Sequence, residues 1–343
     1  MRSWAEWSAE EARVIRAAGR WREIVEFEPG GSVVSFASND YLGLTQHPAV
    51  VGAAREALDR WGAGAGAARL VVGTRAVHGD LEQSLADWKR EEAALLFSTG
   101  YAANLGVLTT FGTAGTRILS DERNHASIVD GCRLAAAVVD VYRHADVGHV
   151  EWLLANTDQP AIVVTDTVFS MDGDLAPVEA LAEVCSQAGA LLVLDEAHAV
   201  LGPDPDLDGV EHLRVGTLSK YLGSLGGFVA GTRPLVDLLV NRARTFIFTT
   251  APTPADTAAA LAALKILRSP EGEGLTARLR SHVERVQPGH LSPMVPVIVG
   301  DDNEAMRAAA ALLDRGLLVP AIRPPTVPAG TSRLRVTLSA IHT

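Results

Sequence analysis

Ala190-Leu191-Leu192-Val193-Leu194-Asp195-Glu196-Ala197-His198 is an unbroken apolar run that stops on two acids and a histidine. A strand with one wet face alternates apolar and polar residues, whereas a strand covered on both faces reads as continuous apolar sequence. The run therefore predicts a strand inside a parallel sheet. Its charged end lies where open α/β sheets gather their ligands, beyond the carboxyl ends of the strands. The same pattern recurs on either side, from about Pro48 to Arg268. Candidate strands at Ala93–Phe97, Arg117–Leu119, Val138–Tyr142, Ala161–Thr165, Arg214–Leu218 and Gly227–Ala230 alternate with helical stretches at Gly100–Phe111, His125–Ala136, Val147–Ala155 and Val178–Ala188. Pro177 is placed to start the last helix. Seven such strands alternating with helices predict an α/β fold with a mainly parallel sheet.

The run Ser269-Pro270-Glu271-Gly272-Glu273-Gly274 breaks this pattern and is the expected boundary. The division anticipated is an N-terminal arm over residues 1–42, a large domain over 43–269 and a smaller α+β domain over 270–343. The last contains a strand (Val295–Val299), a helix (Asn303–Arg315) and a strand (Arg333–Ser339). A chain of 343 residues, 48% hydrophobic, can bury a large core and is not disordered. No apolar run reaches the ~20 residues needed to span a bilayer, and Met1–Arg22 lacks a signal-peptide core. Two distant cysteines, Cys132 and Cys185, provide neither a disulfide framework nor metal spacing, so a cytoplasmic setting is expected. A net charge of −11 argues against nucleic acid, which requires a basic face.

Lys220 is one of three lysines in the chain. Lys89, in Asp87-Trp88-Lys89-Arg90-Glu91-Glu92, and Lys265, within Leu261–Arg268, are expected on solvated helix faces. Lys220 instead sits in Val215-Gly216-Thr217-Leu218-Ser219-Lys220-Tyr221-Leu222-Gly223-Ser224-Leu225-Gly226-Gly227, with no other charge. A desolvated ammonium loses its proton more readily and becomes a usable amine nucleophile. Strand-end geometry brings Lys220 together with Asp195 and His198. Ser98-Thr99-Gly100-Tyr101 opens a helix after a strand, so its N–H groups can hold a phosphate. His125 and Ser170 follow two further strands. A lysine, a carboxylate, two histidines and a phosphate cradle compose a pyridoxal-phosphate site, in which the lysine carries the cofactor and the aspartate holds the pyridine nitrogen protonated. Two rival motifs fail on context. Asp195-Glu196-Ala197-His198 matches a helicase box, but the chain has no phosphate-binding Gly-x-x-x-x-Gly-Lys-Ser/Thr loop. Gly62-Ala63-Gly64-Ala65-Gly66-Ala67 matches the loose dinucleotide fingerprint but follows a helical pattern and not a strand. A nicotinamide oxidoreductase and a non-catalytic scaffold remain as remote alternatives.

Six stretches carry a family resemblance: Ser38-Asn39-Asp40-Tyr41-Leu42-Gly43-Leu44, Gly100-Tyr101-Ala102-Ala103-Asn104, Asn124-His125-Ala126-Ser127, Phe169-Ser170-Met171-Asp172-Gly173-Asp174, Asp195–His198 and Thr217–Lys220. With Ile322-Arg323-Pro324-Pro325-Thr326-Val327-Pro328-Ala329-Gly330-Thr331, they make the chain resemble the α-oxoamine synthases, fold-type-I pyridoxal-phosphate enzymes, from about Ser35 to His342. Phe246–Ala251, Gly226–Gly231 and the Arg-Pro-Pro-Thr form at Arg323 favour the oxononanoate branch over the aminolevulinate, aminoketobutyrate and sphingoid branches.

The resemblance implies decarboxylative condensation of L-alanine with a pimeloyl thioester, on coenzyme A or acyl carrier protein, in biotin biosynthesis. Another α-oxoamine synthase, of the glycine C-acetyltransferase or 5-aminolevulinate synthase type, is the nearest alternative. It also implies roles. Lys220 holds the cofactor and shuttles the Cα proton, Asp195 meets the pyridine nitrogen, and His125 stacks on the ring. His198 and Ser170 lie near the ring hydroxyl. Gly100, Tyr101, Thr217 and Ser219 surround the phosphate, with Thr249 and Thr250 reaching in from a second subunit of a homodimer. Asn39 and Arg323 hold the amino-acid carboxylate, a group that suits a bidentate guanidinium. Thr326 faces the acyl substrate, and an arginine of the first helix, Arg16 or Arg13, contacts substrate. Three departures from the family pattern are visible. Ala199-Val200-Leu201 follow His198 where small residues and glycine are common, the stretch from Arg268 to Pro293 is short, and relatives continue beyond Thr343 into a final helix. A truncated small domain is therefore expected.

Overall fold

A computed structural model describes residues 2–27 and 31–343. The chain divides into two compact units, Asn39–Pro293 with Leu338–Thr343, and the segment up to Ser38 with Met294–Thr337. In the larger unit the strands are β1 (Ala93–Phe97), β2 (Arg117–Asp121), β3 (Val138–Tyr142), β4 (Ala161–Asp166), β5 (Leu191–Asp195), β6 (His212–Thr217) and β7 (Gly227–Gly231). They form one seven-stranded sheet in the order β1-β7-β6-β5-β4-β2-β3. Neighbours from β6 to β3 are parallel, and β7 runs antiparallel to both β1 and β6.

Every residue of β4 is buried, which a sheet achieves only when both faces are covered. On one face, helices α1 (Gly100–Phe111) and α2 (Ala126–Leu134), with Arg233–Arg242, pack Val107, Leu108, Ile128, Val236 and Leu239 against Val164, Val193 and Val215. On the other, Val147–Ala155 and α3 (Val178–Ala188) pack Val150, Leu153, Leu181 and Cys185 against Leu119, Val163 and Leu192. Each fully buried aliphatic side chain contributes about 1.5–3 kcal/mol. These two layers hold the strand ends rigid, so side chains placed there keep their geometry.

The expected boundary at Ser269–Gly274 is not one. Pro270 starts a helix that runs to Val286, directly after the helix Pro254–Leu267. Ser269 Oγ donates to Ile266 O at 2.7 Å. A Cβ at Gly272 would lie 2.4 Å from the carbonyl oxygens of Ile266 and Leu267. Proline and glycine serve a tight helix–helix corner here, and the change of unit comes only at Met294.

The arm expected over residues 1–42 also splits, because Tyr41, Leu42 and Leu44 are buried in the larger unit. The last residues of the chain fasten that segment. Ala340 N–H donates to Tyr41 O at 2.8 Å, and Ser339 Oγ donates to Asp40 O at 2.7 Å. Gly43, at φ +71°, has no room for a side chain, since a Cβ would lie 2.1 Å from Ile341 Cγ2.

The smaller unit is α+β. Met294–Gly300, Ser332–Thr337 and Ala321–Ile322 form an antiparallel sheet, with the helix Asp302–Leu313 between the first strand and the others in sequence. Val34–Ser35 pairs in parallel with Leu317–Leu318. The first helix, Trp4–Ala17, starts with a capping box between Ser3 and Glu6. Among the described residues, no helix is long and apolar enough to cross a membrane.

Candidate active site

β5 ends on Asp195, and the next residue, Glu196, turns to the opposite side of the sheet. Asp195 accepts Asn104 Nδ2 at 2.6 Å and the Ala197 N–H at 2.9 Å. Asn104, on α1, also donates to Ser127 Oγ at 2.9 Å, and Ser127 Oγ lies 2.8 Å from His125 Nδ1. With both amide hydrogens of Asn104 used as donors, the Ser127 hydroxyl is turned to donate to Nδ1, which puts the imidazole proton on Nε2. Desolvation holds the His125 imidazole below its ordinary value; the Asp195 carboxylate opposes this and the Lys220 charge adds to it. The His125 N–H donates to buried Asp166 at 2.8 Å. Burial, and then the neighbouring Asp195 charge, push the Asp166 carboxyl well above the usual range.

Lys220 stands one turn of chain beyond β6. Its Nζ lies 2.8 Å from His198 Nε2, and His198 Nδ1 lies 2.5 Å from the Tyr41 hydroxyl. Tyr41 in turn lies 3.2 Å from Asn39 Oδ1. Lys220 is half-buried, while Tyr41 is fully buried. The structure thus brings Asn39, His198 and Lys220 into one hydrogen-bonded line through Tyr41.

Between the ends of β1 and β6 lies a cradle. Thr99 caps α1 by accepting the Ala102 N–H at 3.0 Å, and the first turn directs the N–H groups of Gly100 and Tyr101 out of the helix end. Thr217 Oγ1 and Ser219 Oγ are 2.7 Å apart. A Cβ at Gly100 would come 3.3 Å from Thr217 Cβ, so glycine keeps the opening between them clear. Gly227 lets β7 pass under this turn, since a Cβ there would lie 2.4 Å from Gly100 N. An N–H cradle with hydroxyls, an anionic carboxylate and a primary amine match the phosphate, the protonated pyridine nitrogen and the carbonyl of pyridoxal phosphate.

Ser170 sits in the turn after β4. Phe169 N–H donates to Asp174 O at 2.9 Å, and Gly173 N–H donates to Phe169 O at 2.8 Å. His144 braces the turn, with Nε2 2.6 Å from Asp174 and Nδ1 3.0 Å from Asp121. Burial draws the His144 imidazole down, but those two carboxylates outweigh it and hold its ionisation above the ordinary value.

The remaining expected residues have contacts of their own. Thr249 and Thr250 follow the short helix Arg244–Ile247, Thr250 bridging to Ala68, and neither hydrogen-bonds to the Asp195–Lys220 cluster among the described residues. Arg323 donates to Gly19 O, and Thr326 N–H donates to Arg323 O at 3.0 Å, both within the smaller unit. In the first helix Arg16 lies 3.8 Å over the Trp21 ring and Arg13 pairs with Glu10 at 2.6 Å. The Tyr101 hydroxyl donates to Asp130.

Lys89 is not on a solvated face. It ends the helix Ala76–Lys89 buried, with Nζ 2.7 Å from Glu196. Arg214 lies 2.6 Å from the same carboxylate and also pairs with Asp204. A buried carboxylate needs such partners, and helical periodicity in the charged run could not reveal one so far along the chain. Asn104, Ser127 and Tyr41 were visible only as members of the quoted motifs; their roles come from contacts across the fold.

Residues 31–343 match the model of the Aminotransferase class I and II family. The chain belongs to that family. Among members of this aminotransferase family, the 8-amino-7-oxononanoate synthase of Anaeromyxobacter dehalogenans is 47% identical over 98% of this chain and 92% of its own length. The enzyme of the same name from Methylococcus capsulatus is 45% identical over 95% of this chain and 91% of its own. A serine palmitoyltransferase from S. paucimobilis, bound to a PLP–myriocin aldimine, superposes with a TM-score of 0.91 at 30% identity, covering 100% of this chain and 95% of that one. An 8-amino-7-oxononanoate synthase from Francisella tularensis gives a TM-score of 0.73 at 26% identity, covering 91% and 93%.

Proposed function

We propose that the chain is a pyridoxal-phosphate-dependent acyltransferase of biotin biosynthesis, condensing L-alanine with a pimeloyl thioester to give 8-amino-7-oxononanoate, CO2 and the free thiol. The observation that carries this reading is the Lys220 amine and the Asp195 carboxylate at the ends of adjacent strands, beside the Gly100–Thr217 cradle. The branch rests on curated 8-amino-7-oxononanoate synthases at 43% to 47% identity. When bound, pyridoxal phosphate supplies an aldehyde for amino groups and a ring that takes up the electron pair released at the amino-acid Cα.

The chain's own residues do the rest. Gly100 and Tyr101 N–H groups, with Thr217 and Ser219, hold the phosphate. Asp195 keeps the pyridine nitrogen protonated, and the Asn104 amide keeps Asp195 in place. His125, its imidazole held below the ordinary value by desolvation, would stack on the ring. Ser170 and His198 would lie near the ring hydroxyl. Lys220, once its amine is free, takes the Cα proton and returns it after CO2 has left. The family resemblance assigns the amino-acid carboxylate to Asn39 and to Arg323, the acyl substrate to Thr326, and a substrate contact to Arg16. Thr249 and Thr250 serve the site of a second copy. Exposed Leu70, Val71, Val72 and Phe248 on the same segments support such a homodimer, since apolar clusters on a surface mark association sites. Cytoplasmic location follows the same reading.

Purified protein with L-alanine and pimeloyl-coenzyme A or pimeloyl acyl carrier protein should release CO2 and thiol and yield a product of the expected mass. A matrix of amino acids and thioesters tests the branch. Equal or better turnover of glycine with acetyl or succinyl thioester, or of L-serine with palmitoyl thioester, would overturn it.

A further inference from the structure

Tyr41 has no part in the reaction proposed above, yet it sits between two residues that have one. Its hydroxyl is 2.5 Å from His198 Nδ1 and 3.2 Å from Asn39 Oδ1, and the side chain is fully buried. Its backbone is held on both sides. Asp40 accepts the Leu44 N–H at 2.9 Å and the Thr45 hydroxyl at 2.6 Å, and the Tyr41 carbonyl accepts the Ala340 N–H at 2.8 Å. These contacts hold the phenol between His198 and Asn39.

A phenol has one proton to give, and an amide oxygen only accepts. With Asn39 Oδ1 as acceptor, the Tyr41 proton points to Asn39, and the Tyr41 oxygen faces His198 Nδ1 with lone pairs. That arrangement places the imidazole proton on Nδ1 and leaves Nε2 as an acceptor, 2.8 Å from Lys220 Nζ. We propose that Tyr41 is a positioning residue that fixes His198 in this tautomer, so that Nε2 takes a proton from the Lys220 ammonium and leaves a neutral amine. One N–H bond breaks at Lys220 and one forms at His198 Nε2. The imidazolium so made keeps its Nδ1–H on the Tyr41 oxygen, and nothing else in the line has to turn. A buried cation would be costly without such a partner.

The same phenol fixes Asn39. With Oδ1 turned to Tyr41, the amide nitrogen is the end that can address a carboxylate, which is what binding an amino-acid substrate requires. Tyr41 therefore couples orientation of the substrate-binding amide to the protonation of the base. This inference rests on the role proposed for Lys220, but its test has a readout that does not.

The experiment uses the full chain with Tyr41→Phe. In the cofactor-free protein, 15N NMR of the histidine side chains, with His198 assigned through His198→Asn, should show the Nδ1-protonated tautomer in the parent and its loss in Tyr41→Phe. In the holoenzyme with L-alanine and pimeloyl-coenzyme A, kcat should fall by about 10²-fold. The acid limb of its pH profile should move to higher pH by about one unit, because Lys220 keeps its proton longer. Should Tyr41→Phe fail to fold, 3-fluorotyrosine placed at position 41 keeps the shape but accepts hydrogen bonds less well, and should move the same limb in the same direction. An unchanged His198 tautomer, or a fall in kcat with a superimposable pH profile, would overturn the proposal. If no thioester is turned over, the tautomer still decides this inference, while the proposed reaction fails separately.

Discussion

Asp195 and Glu196 are consecutive carboxylates, both more than nine-tenths buried, and they meet opposite environments. Glu196 is closed in by fixed cations, Lys89 at 2.7 Å and Arg214 at 2.6 Å. Asp195 is held by neutral donors, the Asn104 amide and a backbone N–H, and makes no ion pair among the described residues. Burial works to raise the Glu196 carboxyl, but Lys89 and Arg214 outweigh it and hold the group below the usual glutamate range. A carboxylate whose cations belong to the protein is structural. One that is oriented but left without a cation can receive a charged ligand atom, the role proposed for Asp195.

The largest effect should come from breaking the first half of that contrast. Asp195→Ala removes the counter-charge and should lower turnover by roughly 10³-fold, with circular dichroism unchanged; activity within tenfold of the parent would remove Asp195 from the chemistry. Glu196→Gln attacks the second half. It leaves two buried cations short of a partner and should cost about 3–5 kcal/mol in chemical denaturation, while turnover of the folded protein stays within about tenfold.

This contrast is also a pH contrast. A carboxyl depressed on folding contributes stability above its unfolded value, near 4.5 for glutamate, and loses it as pH falls through the lower folded value. The parent should therefore lose stability more steeply than Glu196→Gln across that acid window. His144 is the smaller, opposite case. Its ionisation is raised on folding by Asp174 and Asp121, so its contribution is complete below the ordinary value of 6.5 and fades as pH rises through the folded value. His144→Gln should be less stable by on the order of 1 kcal/mol under acidic conditions. Thermal denaturation should show that gap closing toward alkaline pH; a gap independent of pH would assign His144 a packing role only.

Much of the large sheet was legible because strands buried on both faces leave continuous apolar runs, and the strands at Ala93–Phe97 and Ala161–Asp166 are found where those runs predict. The meeting of His198 and Lys220 followed from strand ends sharing one edge. Lys89 was misread because its partner, Glu196, is remote in sequence, and a charged helix end looks the same whether wet or dry. Ser269–Gly274 was misread because proline and glycine mark helix corners as readily as linkers. Tyr41 and Asn104 stayed hidden for a third reason: each earns its place through two hydrogen bonds at once, and spacing cannot show simultaneity.

β7 gives the sheet a timetable. β1 reaches the rest of the sheet only through β7, with Phe97 opposite Gly227. The helix start at Gly100 rests against that same glycine. While the chain is being synthesised from its N-terminus, the turn at Gly100 therefore stays half-built until the segment around Gly231 has emerged and threaded between β1 and β6. Pairings between such distant parts of a chain form slowly, because the intervening loop must close first. Completion of the turn at Gly100 is thus placed late in the life of the nascent chain, after Asp195 and Lys220 have already been made.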